Sequence, residues 1–135
     1  NNITRNNNSV VSAISKNVIK YAEELGLGNK ETIPASYLFT SNLKELSGAV
    51  LHKTAFAFRL AYITVIEDTL KIKLPIILDS PSGKEVDQAN IKLMMDILKR
   101  DFADHQIIIA SIFNYDFDEA KIIEIKERLI TENSL

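Results

Sequence analysis

An apolar run that ends in a carboxylate constrains this chain more than any other stretch. Leu74, Pro75, Ile76, Ile77 and Leu78 are followed at once by Asp79, Ser80 and Pro81, then by a polar loop through Ser82, Gly83, Lys84, Glu85 and Asp87. Continuous hydrophobicity bounded by turn-forming residues predicts a short strand buried on both faces, as in a parallel sheet. A helix is predicted next, over about 89–102 with Ile91, Met94, Met95 and Leu98 inward, and then a second apolar strand over 106–110. Strand, helix and strand in that order give a parallel pair with a right-handed crossover. Asp79 then stands at the C-terminal tip of its strand, where open α/β sheets gather their ligands.

The segments upstream are expected to supply helices for this sheet. Val11, Ile14, Val18, Tyr21 and Leu25 recur at spacings of 3, 4, 3 and 4, which is either the end of a coiled-coil arm or one amphipathic helix of a globular domain. Ser9 is placed to cap its start, and Gly26 or Gly28 to stop it. Residues 29–45 are rich in turn formers, with a short strand-like piece at Tyr37, Leu38, Phe39 and Thr40. Ser47 and Gly48 open a long helix running to about Asp68, whose apolar stripe is Phe56, Leu60 and Ile63, thickened by Ala57, Ala61 and Tyr62. Ala55, Ala57 and Ala61 are small enough to let it lie close to a sheet. A last helix is expected from about Asp118, with Ile122, Ile125 and Leu129 on one face and charged residues on the other.

Composition narrows the function classes. With 135 residues, 46% hydrophobic and 25% charged, the chain is expected to form one domain with a substantial core. It has no cysteine and two histidines, His52 and His105, so disulfides, thiolate metal sites and histidine-rich sites are excluded. A net charge of −2 gives no overall attraction to nucleic acid. No uninterrupted apolar run reaches the roughly 20 residues that span a bilayer, and a cytoplasmic location without membrane contact is expected. The polar start, Asn1 to Asn8 without an initiator methionine, reads as loop or linker, and the chain as cut from a longer protein.

The chemistry gathers around two points. Asp79 would deliver a carboxylate where helix N-termini collect, suited to a phosphate and its magnesium ion, although many parallel strands end in Asp merely to cap the next turn. Leu46, Ser47 and Gly48 bring a hydroxyl, a flexible amide and a helix N-terminus together, which suits phosphate oxygens and equally describes an ordinary cap.

In this order the elements resemble the C-terminal lobe of ABC-type ATPase heads, specifically those of SMC-like chromosome and DNA-repair ATPases with long coiled coils. Leu46-Ser47-Gly48 is similar to the family's signature, Ile76-Ile77-Leu78-Asp79 to Walker B, residues 81–87 to the D-loop and residues 106–111 to the switch strand. The resemblance implies a partial P-loop NTPase fold: a small parallel sheet flanked by helices in a lobe over 29–135, preceded at 1–28 by the end of a coiled-coil arm. It implies ATP and Mg as cofactors, Asp79 as the metal ligand, and a catalytic group of Asp79, Ser80 and Glu85. The nucleotide would contact Leu46, Ser47, Gly48, Ser82, Gly83, Asp87 and Ser111. Implied partners are the missing N-terminal head lobe with its phosphate cradle, a second head, and DNA bound by the full-length protein.

Four positions depart from the family pattern. The second signature glycine is Ala49 and the next residue Val50; Ser80 stands where a catalytic glutamate usually follows Walker B, and Ile112 stands at the switch histidine. A serine hydroxyl orients water but is a poor general base at neutral pH. The resemblance therefore leaves two readings, a hydrolysing head with Glu85 as a displaced base and a hydrolysis-poor nucleotide-gated clamp or structural interaction module. Among the remaining polar residues, His52, Lys53 and Lys84 read as solvated positions with a weaker claim on phosphate. His105 reads as a turn residue, and Tyr115 and Phe117 as packing groups.

Overall fold

The computed structural model describes residues 2–28, 48–81 and 87–126. Its elements are α1 (Asn2–Glu24), α2 (Gly48–Leu70), β1 (Ile76–Asp79), α3 (Gln88–Asp101) and β2 (Ile107–Ala110). The strands pair in parallel, Ile76 opposite Ile107 and Asp79 opposite Ala110. The result is a small α/β fold in which helices flank a two-stranded parallel sheet. The strand-like piece at Tyr37 to Thr40 lies outside the described residues.

The spaced apolar residues of α1 turn into the core as their period requires. Ile14, Val18, Tyr21 and Leu25 are buried, whereas Val11 is 41% exposed. The helix begins at Asn2, so the asparagine-rich start is helical rather than linker, and Ser9 lies within the helix instead of capping it. Asparagine is a poor helix former, but once later turns are fixed by packing, each added residue gains a hydrogen bond at modest cost. Its end follows from Gly26, whose φ of +71° is the left-handed turn of a Schellman cap. The Gly26 N–H donates to the Glu23 carbonyl at 3.0 Å and the Leu27 N–H to the Ala22 carbonyl at 2.9 Å.

Three tertiary contacts fix that end of α1. Lys53 of α2 donates to the Leu25 carbonyl at 2.8 Å, placing a cation on the negative end of the helix dipole. Arg100 of α3 reaches Glu24 at 2.7 Å, and Lys20 reaches Asp101 at 2.9 Å. Arg100 also binds the adjacent Asp101 at 2.6 Å. Arg100, with Lys20 assisting, holds the Asp101 carboxyl well below the usual carboxylate range against the opposing effect of burial. Lys53 is therefore a helix-capping contact, not a solvated position.

α2 is long and apolar enough to span a bilayer by length and composition alone. Its Phe56, Ala57, Leu60, Ala61 and Val65 are buried in the protein core. Ala57 and Ala61, both 0% exposed, permit close packing, and Ile63 is partly buried against the same core. Buried Tyr21 donates to Thr64 Oγ1 at 3.3 Å, while Thr64 donates to the Leu60 carbonyl at 2.9 Å, so the phenol's polar end is satisfied inside the α1–α2 contact.

The sheet is covered on one face among the described residues. Ile76 and Leu78 are buried with residues of all three helices, and Ile107 and Ile109 pack against the same cluster. Ile77 is 66% exposed and Ile108 46%. This corrects the expectation of a strand buried on both faces: alternation sends Ile77 and Ile108 to the side opposite that core.

A second correction concerns the C-terminal segment. Residues 118–126 form no helix, and Ile122, Ile123 and Ile125 are more than 70% exposed. An amphipathic segment of this length is marginal unless its apolar face is buried, and no core receives these isoleucines among the described residues. Leu129 lies outside them. Tyr115 and Phe117 do pack against the core, with Lys99 Nζ 5.1 Å from the Phe117 ring centroid.

Candidate functional site

The C-terminal edge of the sheet carries Asp79 and Ser80 at the end of one strand and Ser111 just past the end of the other. Asp79 ends β1 with an exposed side chain, and its register opposite Ala110 sets Ser111 at the corresponding tip of β2. Ser80 then leaves the strand with a φ of +46°, a left-handed conformation that costs a non-glycine residue about 1 kcal/mol or more. Two bonds hold it there. Its N–H donates to the Ala110 carbonyl at 2.8 Å, and its Oγ donates to Asp79 Oδ1 at 3.1 Å. The carboxylate is thus oriented by its neighbour's hydroxyl, and the Ser80 N–H extends the ladder one residue beyond the strands.

Ser111 is engaged locally. Its Oγ accepts from the Phe113 N–H at 3.0 Å and donates to the Tyr115 hydroxyl at 3.0 Å. These bonds shape the turn after β2 and leave Ile112 90% exposed at the sheet edge.

Asp87 has an evident structural task. It is the N-cap of α3, accepting from the Asn90 N–H and from Asn90 Nδ2, each at 2.8 Å. Its carbonyl accepts the first helical bond from Ile91 at 3.0 Å. That satisfies orphan donors of the helix and places the carboxylate at the positive end of the dipole.

Gly48 opens α2 with a φ of +56°, and a Cβ added there would meet nothing within 4 Å. No hydrogen bond or ion pair joins it to Asp79, Ser80 or Ser111 among the described residues. Leu46, Ser47, Ser82, Gly83 and Glu85 lie outside those residues, as does Lys84.

Among the described residues, no three acidic or histidine side chains come together as a metal cage. The donors at the edge are the Asp79 carboxylate and the hydroxyls of Ser80 and Ser111. Hard oxygen donors with a single carboxylate suit magnesium, which commonly binds one or two carboxylates, substrate phosphate and retained water.

Sequence reasoning missed the role of His105. Its side chain is 2% exposed, with Nδ1 2.9 Å from the Leu74 carbonyl and Nε2 2.8 Å from Glu67 Oε2. Phe102 meets the imidazole edge-on at 5.2 Å. The expected turn residue also ties the end of α2 to the entrance of β1. Comparison of the chain with protein-family models, with curated proteins and with solved structures gave no match.

Proposed function

We propose that this chain is the C-terminal lobe of an ABC-type ATPase head of the SMC-like kind. The observation that carries the reading is the exposed Asp79 carboxylate at the C-terminal tip of a parallel strand, oriented by a left-handed Ser80, with Ser111 just past the end of the paired strand. Strained backbone beside a solvent-facing carboxylate is a feature that active sites often retain.

On this reading Asp79 holds magnesium, which supplies positive charge against the phosphate oxygens of ATP. Ser80 orients the carboxylate and the water near it, and Glu85 is the acid assigned to take the water's proton. Ser47 and Gly48 offer a hydroxyl and an amide to the terminal phosphate of ATP held by a second head. Leu46, Ser82, Gly83 and Asp87 complete the nucleotide surroundings. Hydrolysis breaks the terminal phosphoanhydride bond and gives ADP and inorganic phosphate. The work done would be movement of coiled-coil arms on DNA, in repair, chromosome maintenance or defence, within the cytoplasm.

The test is ATP turnover in the parent protein that joins this lobe to its phosphate cradle, compared with its Asp79→Ala variant. Loss of turnover in a folded variant is expected; equal turnover overturns the assignment of Asp79. Ser80, in place of a strong base, favours the second reading of a nucleotide-gated clamp. Single-turnover measurements separate the two: the clamp binds ATP and pairs its heads without releasing phosphate.

A further inference from the structure

His105 has acceptors on both sides of its ring. The Leu74 carbonyl oxygen, 2.9 Å from Nδ1, cannot donate, so that contact requires a proton on Nδ1. An ionised Glu67 carboxylate, 2.8 Å from Nε2, cannot donate either. A neutral imidazole has one N–H for these two contacts, and closing both requires one more proton, on Nε2 or on the carboxyl.

We propose that His105 and Glu67 form a proton-operated clasp at the entrance of the sheet. With the extra proton bound, α2 and the approach to β1 are joined through the ring; when it leaves, one of the two contacts opens.

The surroundings of the clasp are charged and partly open to solvent, with the Glu67 side chain 32% exposed. Lys73 lies between Glu67, at 3.7 Å, and Asp104, at 2.8 Å. Lys73, and to a lesser degree His105, hold the Asp104 carboxyl below its ordinary range. Phe102 covers one side of the ring. Lys73 comes from the segment before β1 and Asp104 from the turn before β2, so the two charged groups facing the pair belong to two separate stretches. The next backbone bond after the clasp, from the Ile76 N–H to the Gln106 carbonyl at 2.8 Å, begins the ladder that ends at Asp79.

Glu67→Gln provides the decisive comparison. A glutamine amide can donate to an unprotonated Nε2, so a neutral His105 bonded to Leu74 through Nδ1 closes both contacts without the additional proton. Between pH 5.5 and 9 the thermal midpoint of the wild-type protein is expected to fall by about 4 °C or more, a size set by the loss of one buried polar contact. Glu67→Gln is expected to lose less than half as much over the same range. Parallel profiles overturn the proposal. Nuclear magnetic resonance on the unmodified protein gives a second test, following the His105 ring nitrogens and the Ile76 amide together. A shared midpoint supports the clasp, and an Ile76 amide that stays fixed while the ring titrates overturns it.

Discussion

Replacing Gly26 with alanine isolates the cost of ending α1. The residue has a φ of +71°, and an added Cβ meets nothing within 4 Å, so no steric collision enters the sum. Holding an L-residue in the left-handed region costs about 1–2 kcal/mol. Alanine also restricts the unfolded chain, which returns roughly 0.4–1 kcal/mol. The net loss is about 1 kcal/mol, provided both bonds of the cap remain. Since Leu27 and Ala22, which share the longer of those bonds in sequence, are 7% and 1% exposed, the cap is packed rather than frayed. Urea titration is the assay. With a slope of about 1–3 kcal/mol/M for a small domain, the midpoint should fall by roughly 0.3–1 M at unchanged slope. Gly26→Asn should lose less than Gly26→Ala, because asparagine tolerates the left-handed region better. An unchanged or raised midpoint in Gly26→Ala, or asparagine proving worse than alanine, would refute the assignment of a strained left-handed cap.

Two further outcomes follow from the core and the ion pairs. Leu98, 0% exposed among the helices, should cost about 2–5 kcal/mol when changed to alanine, read by the same titration; a loss below about 1 kcal/mol would mean that the site collapses around the cavity. Asp101, held below the ordinary carboxylate range by Arg100 and Lys20, contributes stability that is present above its unfolded value of roughly 4 and is lost as pH falls through its lower folded value. Asp101→Asn should therefore flatten the acid limb of a stability profile measured below about pH 4, and an unaltered limb would count against the pairing.

The local part of this architecture was legible because it depends on near neighbours. The spacing of Val11, Ile14, Val18, Tyr21 and Leu25 marked a face of α1 that is buried from Ile14 onward, and Gly26 or Gly28 marked its end, since both signals follow from helix geometry and from the missing Cβ. The order of β1, α3 and β2 was equally readable, with α3 stripe residues Ile91, Met94, Met95 and Leu98 buried as their period required. What failed depended on distant partners. Continuous hydrophobicity in β1 could not reveal that Ile77 would face away from the core, because that is decided by what covers each side. His105 gave no sign of its role, since Glu67 is 38 residues away and a single histidine before a strand has no distinguishing spacing. Lys53 likewise found its acceptor, the Leu25 carbonyl, across 28 residues. At the candidate site the sequence marked Asp79 and Ser111 as strand-end residues, but the left-handed Ser80 was invisible in composition and pattern.

The attachment of α1 has a mechanical consequence. Lys20, Tyr21 and Glu24 in its last two turns, with Leu25 just beyond them, carry the described polar ties to α2 and α3, while a helix of 23 residues is about 35 Å long. A transverse force on the helix is therefore passed to its neighbours through this end. The reaction is borne in part by Arg100 and Asp101 at the C-terminal end of α3, whose N-terminal end is capped by Asp87. Torque on α1 would load α3 through these two residues.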